Sequence, residues 1–237
     1  TALYIKEMKR YLASNIYVLN TLIGYVLMVG AAILLAFTGM DKLESYLALG
    51  GGEGFTMPFS IGSILPFLLS LMIMMGSTTS SSISMEGKQW WIPKSLPIPT
   101  RTILDAKMMV AFTLSVPAIL LSAVILILSG QTGGETPIWL ILVPGSYACF
   151  AAVFGITINL KMPVFNWDNE TTVIKQSGST MITVLGGMLF ALVPVGLRVL
   201  LPGIPSDLFM GVITAVLLAV SLLLYQINSR CDLRKID

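Results

Sequence analysis

Apolar residues in this chain gather into six long runs, and polar residues collect between them. The runs are Ile16–Thr38, Pro58–Thr79, Met108–Ser129, Ile138–Leu160, Met181–Leu201 and Leu208–Ile227, each 20 to 23 residues long. A helix needs about 20 apolar residues to cross a hydrocarbon core about 30 Å thick, and each run meets that length. Tyr and Cys aside, Arg198 is the one ionisable residue inside any run. The pattern predicts an all-α, polytopic membrane protein with six transmembrane helices over residues 16–237. Residues 1–15 have a different rhythm. At 100° per residue, Tyr4, Ile5, Met8, Tyr11 and Leu12 fall within about 120° of arc, and Lys6, Lys9 and Arg10 lie opposite. That spacing predicts an interfacial amphipathic helix with the three cations anchoring it to headgroups. An ordinary charged flank is the plainer alternative.

Detail within the runs points to packing. Pro66, Pro117, Pro144 and Pro194 remove backbone hydrogen bonds and predict kinks. Gly24, Gly30 and Gly186-Gly187 offer close helix contact. The second run ends in small hydroxyls, Ser77 to Ser82 with Ser84. Such side chains bond back to helix carbonyls, so the helix is expected to continue past the apolar boundary until Gly87 stops it. Between the first two runs, Asp41 to Leu49 predicts a short surface helix, and Gly50-Gly51-Gly52 with Gly54 a flexible stretch.

Charge then fixes an expected orientation. Only 11% of residues are charged and mean hydropathy is +0.87, against about 25% charged in a soluble domain. Both termini and the second and fourth loops hold 12 of the 14 Lys and Arg residues. Lys and Arg concentrate on the cytoplasmic side of membrane proteins, so both termini are expected there. The net charge of +2 comes without a basic stripe or aromatic platform, so nothing suggests a nucleic-acid partner. Cys149 falls in a span and Cys231 in the tail, too far apart to bridge.

The loop Ile83–Lys107 has the densest chemistry. Glu86-Gly87-Lys88, Trp90-Trp91, Lys94-Ser95-Leu96-Pro97-Ile98 and Ala106-Lys107 follow one another. The tryptophans suit a membrane interface. The fourth loop carries Asn159-Leu160-Lys161-Met162-Pro163, Trp167-Asp168-Asn169-Glu170 and Val173-Ile174-Lys175-Gln176-Ser177. With the opening Lys6-Glu7, Arg10-Tyr11 and Ile16 to Thr21, these segments resemble ABC type-2 exporter permeases of bacteria. The resemblance extends over nearly the whole chain and says little about substrate.

It implies a subunit of the bacterial plasma membrane that pairs with a second permease unit, as a homodimer or as one half of a longer permease. It also implies two cytoplasmic ATPase partners. A coupling helix after the second span would dock there through Glu86, Gly87, Lys88, Trp90, Trp91, Ile92 and Lys94. Asp168, Glu170 and Lys175 would form a second docking surface. ATP would sit on the partner, because this chain has no Gly-x-x-x-x-Gly-Lys-Ser/Thr loop and is expected to bind no cofactor itself. Plainer readings stay open: Glu86 as a solvated helix-end charge, and Asp168-Asn169-Glu170 as a turn and helix start.

Other functions fit less well. The spans offer Ser, Thr and Tyr but no base, which disfavours an intramembrane enzyme. No Asp, Glu, Lys or His falls at an expected midplane, which disfavours a proton-coupled carrier. A membrane scaffold, assembly factor or immunity factor with a permease-like fold is the alternative to transport.

Overall fold

The structure is a computed structural model that describes residues 2–40, 42, 45, 60–132 and 134–233. Apart from Lys42 and Ser45, the surface helix expected at Asp41 to Leu49 and the glycines at 50–54 lie outside those residues. So do Arg234 and Lys235. Among the described residues the chain is all-helical, with no strand. The α-helices are α1 (Ala2–Ala13), α2 (Asn15–Thr38), α3 (Ile61–Met75), α4 (Trp91–Ser95) and α5 (Thr100–Leu128). They continue as α6 (Trp139–Lys161), α7 (Glu170–Lys175), α8 (Gly178–Leu200) and α9 (Ser206–Ser229). Five segments are long and apolar enough to cross a membrane: α2, α5, α6, α9 and the stretch Glu170–Leu200 that contains α8. This is a multi-pass membrane protein.

The second predicted span is the exception. Its helix, α3, has 15 residues, which is about 22 Å at 1.5 Å per residue and short of a full crossing. The expectation that the hydroxyl run prolongs the helix fails: α3 stops at Met75, and Ser77 to Ser82 form buried turns instead. Gly76 caps the helix, and close backbone contact accompanies the stop. A Cβ on Gly24 would lie 2.2 Å from the Met72 carbonyl oxygen, and one on Gly76 would lie 2.3 Å from that of Thr21. The two helices therefore touch backbone to backbone where α3 ends. Beyond that point the hydroxyls find other acceptors. Ser80 Oγ donates to the Ser77 carbonyl and Ser82 Oγ to that of Thr79. Thr79 Oγ1 donates to Ala151 O of α6, Ser179 Oγ of α8 to Ser80 O, and Tyr17 of α2 to Thr78 O. Turns and neighbouring helices thus satisfy polar groups that a continuous helix would have satisfied alone.

Helix α3 is central, packing on α2, α6 and α8, while α6 also carries α5 and α9. Met28, Phe67, Met74, Tyr147, Phe150 and Met210 fill the core between them. Pro66, Pro117, Pro144 and Pro194 all sit inside helices. A Cβ on Gly187 would lie 2.7 Å from Met74 Sδ, as at a close-contact position, whereas one on Gly30 would face open space.

The two poles differ. At one, Leu3, Ile83, Trp90, Leu104, Phe165 and Leu233 pack together, which joins the N-terminal helix, both long loops and the C-terminal tail. At the other, Arg198, the charge inside the fifth apolar run, is held within the protein rather than reaching outward. It is 6% exposed and donates to Ser63 Oγ at 3.3 Å, Ile204 O at 2.6 Å and Ser206 Oγ at 2.9 Å. Its guanidinium also lies 5.7 Å from the Phe209 ring centre. Three acceptors and an aromatic face make burial acceptable for a side chain that would otherwise reach for water.

Gly24→Ala is predicted to destabilise the bundle by about 1–3 kcal/mol, because its methyl group must displace backbone. Gly30→Ala on the same helix should be neutral or stabilising. Thermal unfolding of both variants in mild detergent checks the contrast.

Candidate functional site

The packed pole encloses a cluster of charge. Ser14 separates α1 from α2 by capping α2, its Oγ accepting from Tyr17 N at 3.3 Å, and that break turns α1 across the bundle. Helix α1 then presents Glu7 and Tyr11 inward, with Lys6 and Arg10 beside them. Helix α5 brings Lys107, which lies on the same buried face as Ile103, Leu104, Val110 and Ala111. The third contributor is the 3₁₀ turn Ser84–Gln89, which supplies Glu86.

Lys107 is 2% exposed, and its ammonium donates three hydrogen bonds. They run to Glu7 Oε2 at 2.9 Å, Glu86 Oε1 at 3.0 Å and Ser82 O at 2.9 Å. An ammonium has three donors, and all three are used. Glu86 also takes Arg10 NH1 at 2.6 Å and Lys6 Nζ at 3.2 Å. Burial alone would raise the Glu86 carboxyl, but Lys107 and Arg10 outweigh it and hold the group well below the usual carboxylate range. Burial likewise opposes the Arg10 charge, and Glu86 reverses the balance, raising the guanidinium above its ordinary value. Two carboxylates face three cations.

Neutral side chains hold the turn in place. Asn159 Oδ1 of α6 accepts from Ile83 N at 2.8 Å and Ser84 N at 3.2 Å. Its Nδ2 donates to Ser84 Oγ at 2.8 Å and Ser179 Oγ at 3.2 Å. Trp167 Nε1 donates to Ser84 O at 2.8 Å. Gly87 has φ +55°, in the left-handed region, and a Cβ there would come within 3.2 Å of the Trp167 ring. Trp90 is buried and stacks on Phe165 at 5.5 Å. Past it, α4 turns outward with Trp91 66% exposed, Ile92 exposed and Lys94 half-buried.

The structure therefore divides the predicted coupling residues. Glu86, Gly87 and Trp90 face the bundle, whereas Lys88, Trp91 and Ile92 face outward. Of the three cations assigned to headgroups, Lys9 is exposed while Lys6 and Arg10 pair with carboxylates. Asp168 and Lys175 are exposed. Glu170 is half-buried and accepts from Ser14 Oγ, and Asn169 caps α7 by accepting from Thr171 N at 2.9 Å. Glu7 and Lys107 were missed as site residues, although their placement left a signal. Glu7 lies about 40° from Tyr11 on the helical wheel, at the border of the apolar arc, and Lys107 falls on the apolar stripe of α5.

The cluster's carboxylates are occupied by cations, and among the described residues no group of three or more His, Cys, Asp or Glu could hold a metal. What it does is join α1, the turn after α3 and the start of α5, so that displacing any of these strains the other two.

Lys107→Met should cost about 3–5 kcal/mol by leaving buried carboxylates short of a counter-charge. Adding Glu86→Gln should recover part of that loss, a coupling that a double-mutant cycle on unfolding would measure. The native Glu86 carboxyl stays ionised to lower pH than in the unfolded chain. Its contribution is therefore full above about pH 5 and is lost as pH falls through its depressed native value. The unfolding temperature should drop with acid below about pH 5 and drop less in Glu86→Gln.

No family model, curated protein or solved structure matches the chain, so its geometry and sequence pattern carry the functional reading.

Proposed function

We propose that the chain is the membrane-spanning unit of an ATP-driven exporter of the ABC type-2 kind, coupled to a separate cytoplasmic ATPase through residues 83–101. One observation carries the reading. Helix α4 projects Trp91 and Ile92 outward while the turn just before it is pinned by Glu86 to α1 and α5. An exposed Trp beside apolar and basic neighbours suits a protein groove, since aromatic anchors dominate such contacts. The pinning gives a push on α4 a path into the bundle.

In this reading the packed pole is cytoplasmic and the chain crosses the membrane six times. The buried turns after α3 complete the second crossing, because irregular backbone is tolerated at membrane depth when protein covers it. A second permease unit would cover apolar faces such as Leu19, Ile23 and Val26 of α2 and Leu185, Leu189 and Val193 of α8. Closure of the partner ATPase would displace α4, and the ionic cluster would pass that displacement to α1 and α5. The bundle then shifts between two arrangements. ATP is bound and hydrolysed by the partner, in the plasma membrane of a bacterium.

Photocrosslinkers placed at Lys88, Trp91 and Trp90 in the intact protein, purified in mild detergent, test the proposal. Lys88 and Trp91 should capture an ATPase with a phosphate-binding loop, and buried Trp90 should capture residues of the same chain. Capture of lipid alone at Lys88 and Trp91, with no ATPase copurifying, would exclude the coupling role and favour a membrane scaffold.

A further inference from the structure

On one flank, α5 and α9 both lean on α6 but scarcely touch each other. Between them lies a groove of about 520 Å³, within the range of about 300–1,000 Å³ typical of small-molecule sites. Met108 and Phe112 of α5, Cys149 and Val153 of α6, and Leu218 and Leu222 of α9 line it. Tyr225 lies seven residues beyond Leu218, so the trough runs about 10 Å along α9.

Its end nearest the packed pole is polar. Tyr225 OH donates to Asp105 Oδ1 at 2.9 Å and accepts from Arg101 Nε at 2.6 Å. Arg101 Nε also lies 3.7 Å from Asp105 Oδ2, with side chains 66% and 41% exposed respectively. An ion pair this exposed is worth little to the fold, so opening it toward a ligand costs little. Helix α5 begins at Thr100 and α9 ends at Ser229, which puts the triad near one end of two spans, at headgroup depth.

We propose that the groove binds one phospholipid with a zwitterionic, primary-amine headgroup of the phosphatidylethanolamine class. One acyl chain lies in the trough, the phosphate meets the Arg101 guanidinium, and the ammonium meets the Asp105 carboxylate. Charge complementarity selects this occupant. A guanidinium fork suits phosphate, and an adjacent carboxylate suits a hydrogen-bonding ammonium. An anionic headgroup without an amine would meet Asp105 unfavourably, and a bare hydrocarbon chain would gain nothing from the triad. The site requires that the chain span a membrane and does not depend on the transport proposal.

The test uses the full chain reconstituted in vesicles of equal phosphatidylethanolamine and phosphatidylglycerol, then extracted in mild detergent for native mass spectrometry. A single phosphatidylethanolamine should be retained per chain, and Arg101→Gln, an exposed change compatible with folding, should weaken retention roughly tenfold. Cys149 gives an independent reading. In a Cys231→Ser background, phosphatidylethanolamine should slow modification of Cys149 by a membrane-soluble maleimide, and phosphatidylglycerol should not. Equal retention of the two lipids, retention indifferent to Arg101→Gln, or a Cys149 rate indifferent to phosphatidylethanolamine would each overturn the site.

Discussion

A single ammonium group out of water organises one end of this molecule. Lys107 is held by Glu7, Glu86 and the Ser82 carbonyl, which belong to a terminal helix and to the turns that follow α3. The attraction of one such pair near 3 Å is about 5 kcal/mol at an effective dielectric of about 20. The desolvation of each ion is several kcal/mol in the other direction. These magnitudes nearly cancel, so the cluster adds little net stability compared with an apolar packing of the same volume. What it adds is selectivity among arrangements, since a displaced α1 or turn leaves buried charge uncompensated.

The opposite pole solves a similar problem with neutral acceptors. Arg198 is satisfied by two hydroxyls and a carbonyl, and no carboxylate pairs with it among the described residues. Nearby, Asp207 accepts from Thr136 Oγ1 at 3.0 Å and Trp139 Nε1 at 2.6 Å, tying the connections at that end together. Between the poles the bundle relies on close apolar packing around α3. Charge thus specifies the ends, and shape specifies the middle.

Much of this was legible in the sequence. Helices α2, α5, α6, α8 and α9 follow from the length and continuity of their apolar runs, and α1 from its arc. The end of α3 was not legible. Whether Thr79 bonds its own helix or Ala151 O depends on a carbonyl 72 residues away, brought near by Gly155, where a Cβ would lie 2.2 Å from Thr79 Oγ1. Local spacing carries no such information. Trp90 and Trp91 are adjacent and chemically identical, yet Phe165 across the loop claims only the first. Gly24 and Gly30 differ in the same way, because the partner backbone reaches one and not the other. For the site, Glu7 and Lys107 each stood out as a charge on or beside an apolar face, but naming them as partners required the long-range path of the chain.

The separation of those partners bears on how the protein is made. Glu7 and Lys107 are 100 residues apart, with α2, α3 and the hydroxyl-rich turns between them. During synthesis α1 leaves the ribosome long before Lys107 exists, so until α5 is inserted Glu7 has only Lys6 and Arg10 of its own helix as counter-charges. The ionic knot is therefore a late closure, formed when the second long helix arrives, and a growing chain stalled before that point holds α1 only through its contacts with α2, such as Tyr11 with Tyr17 and Thr21.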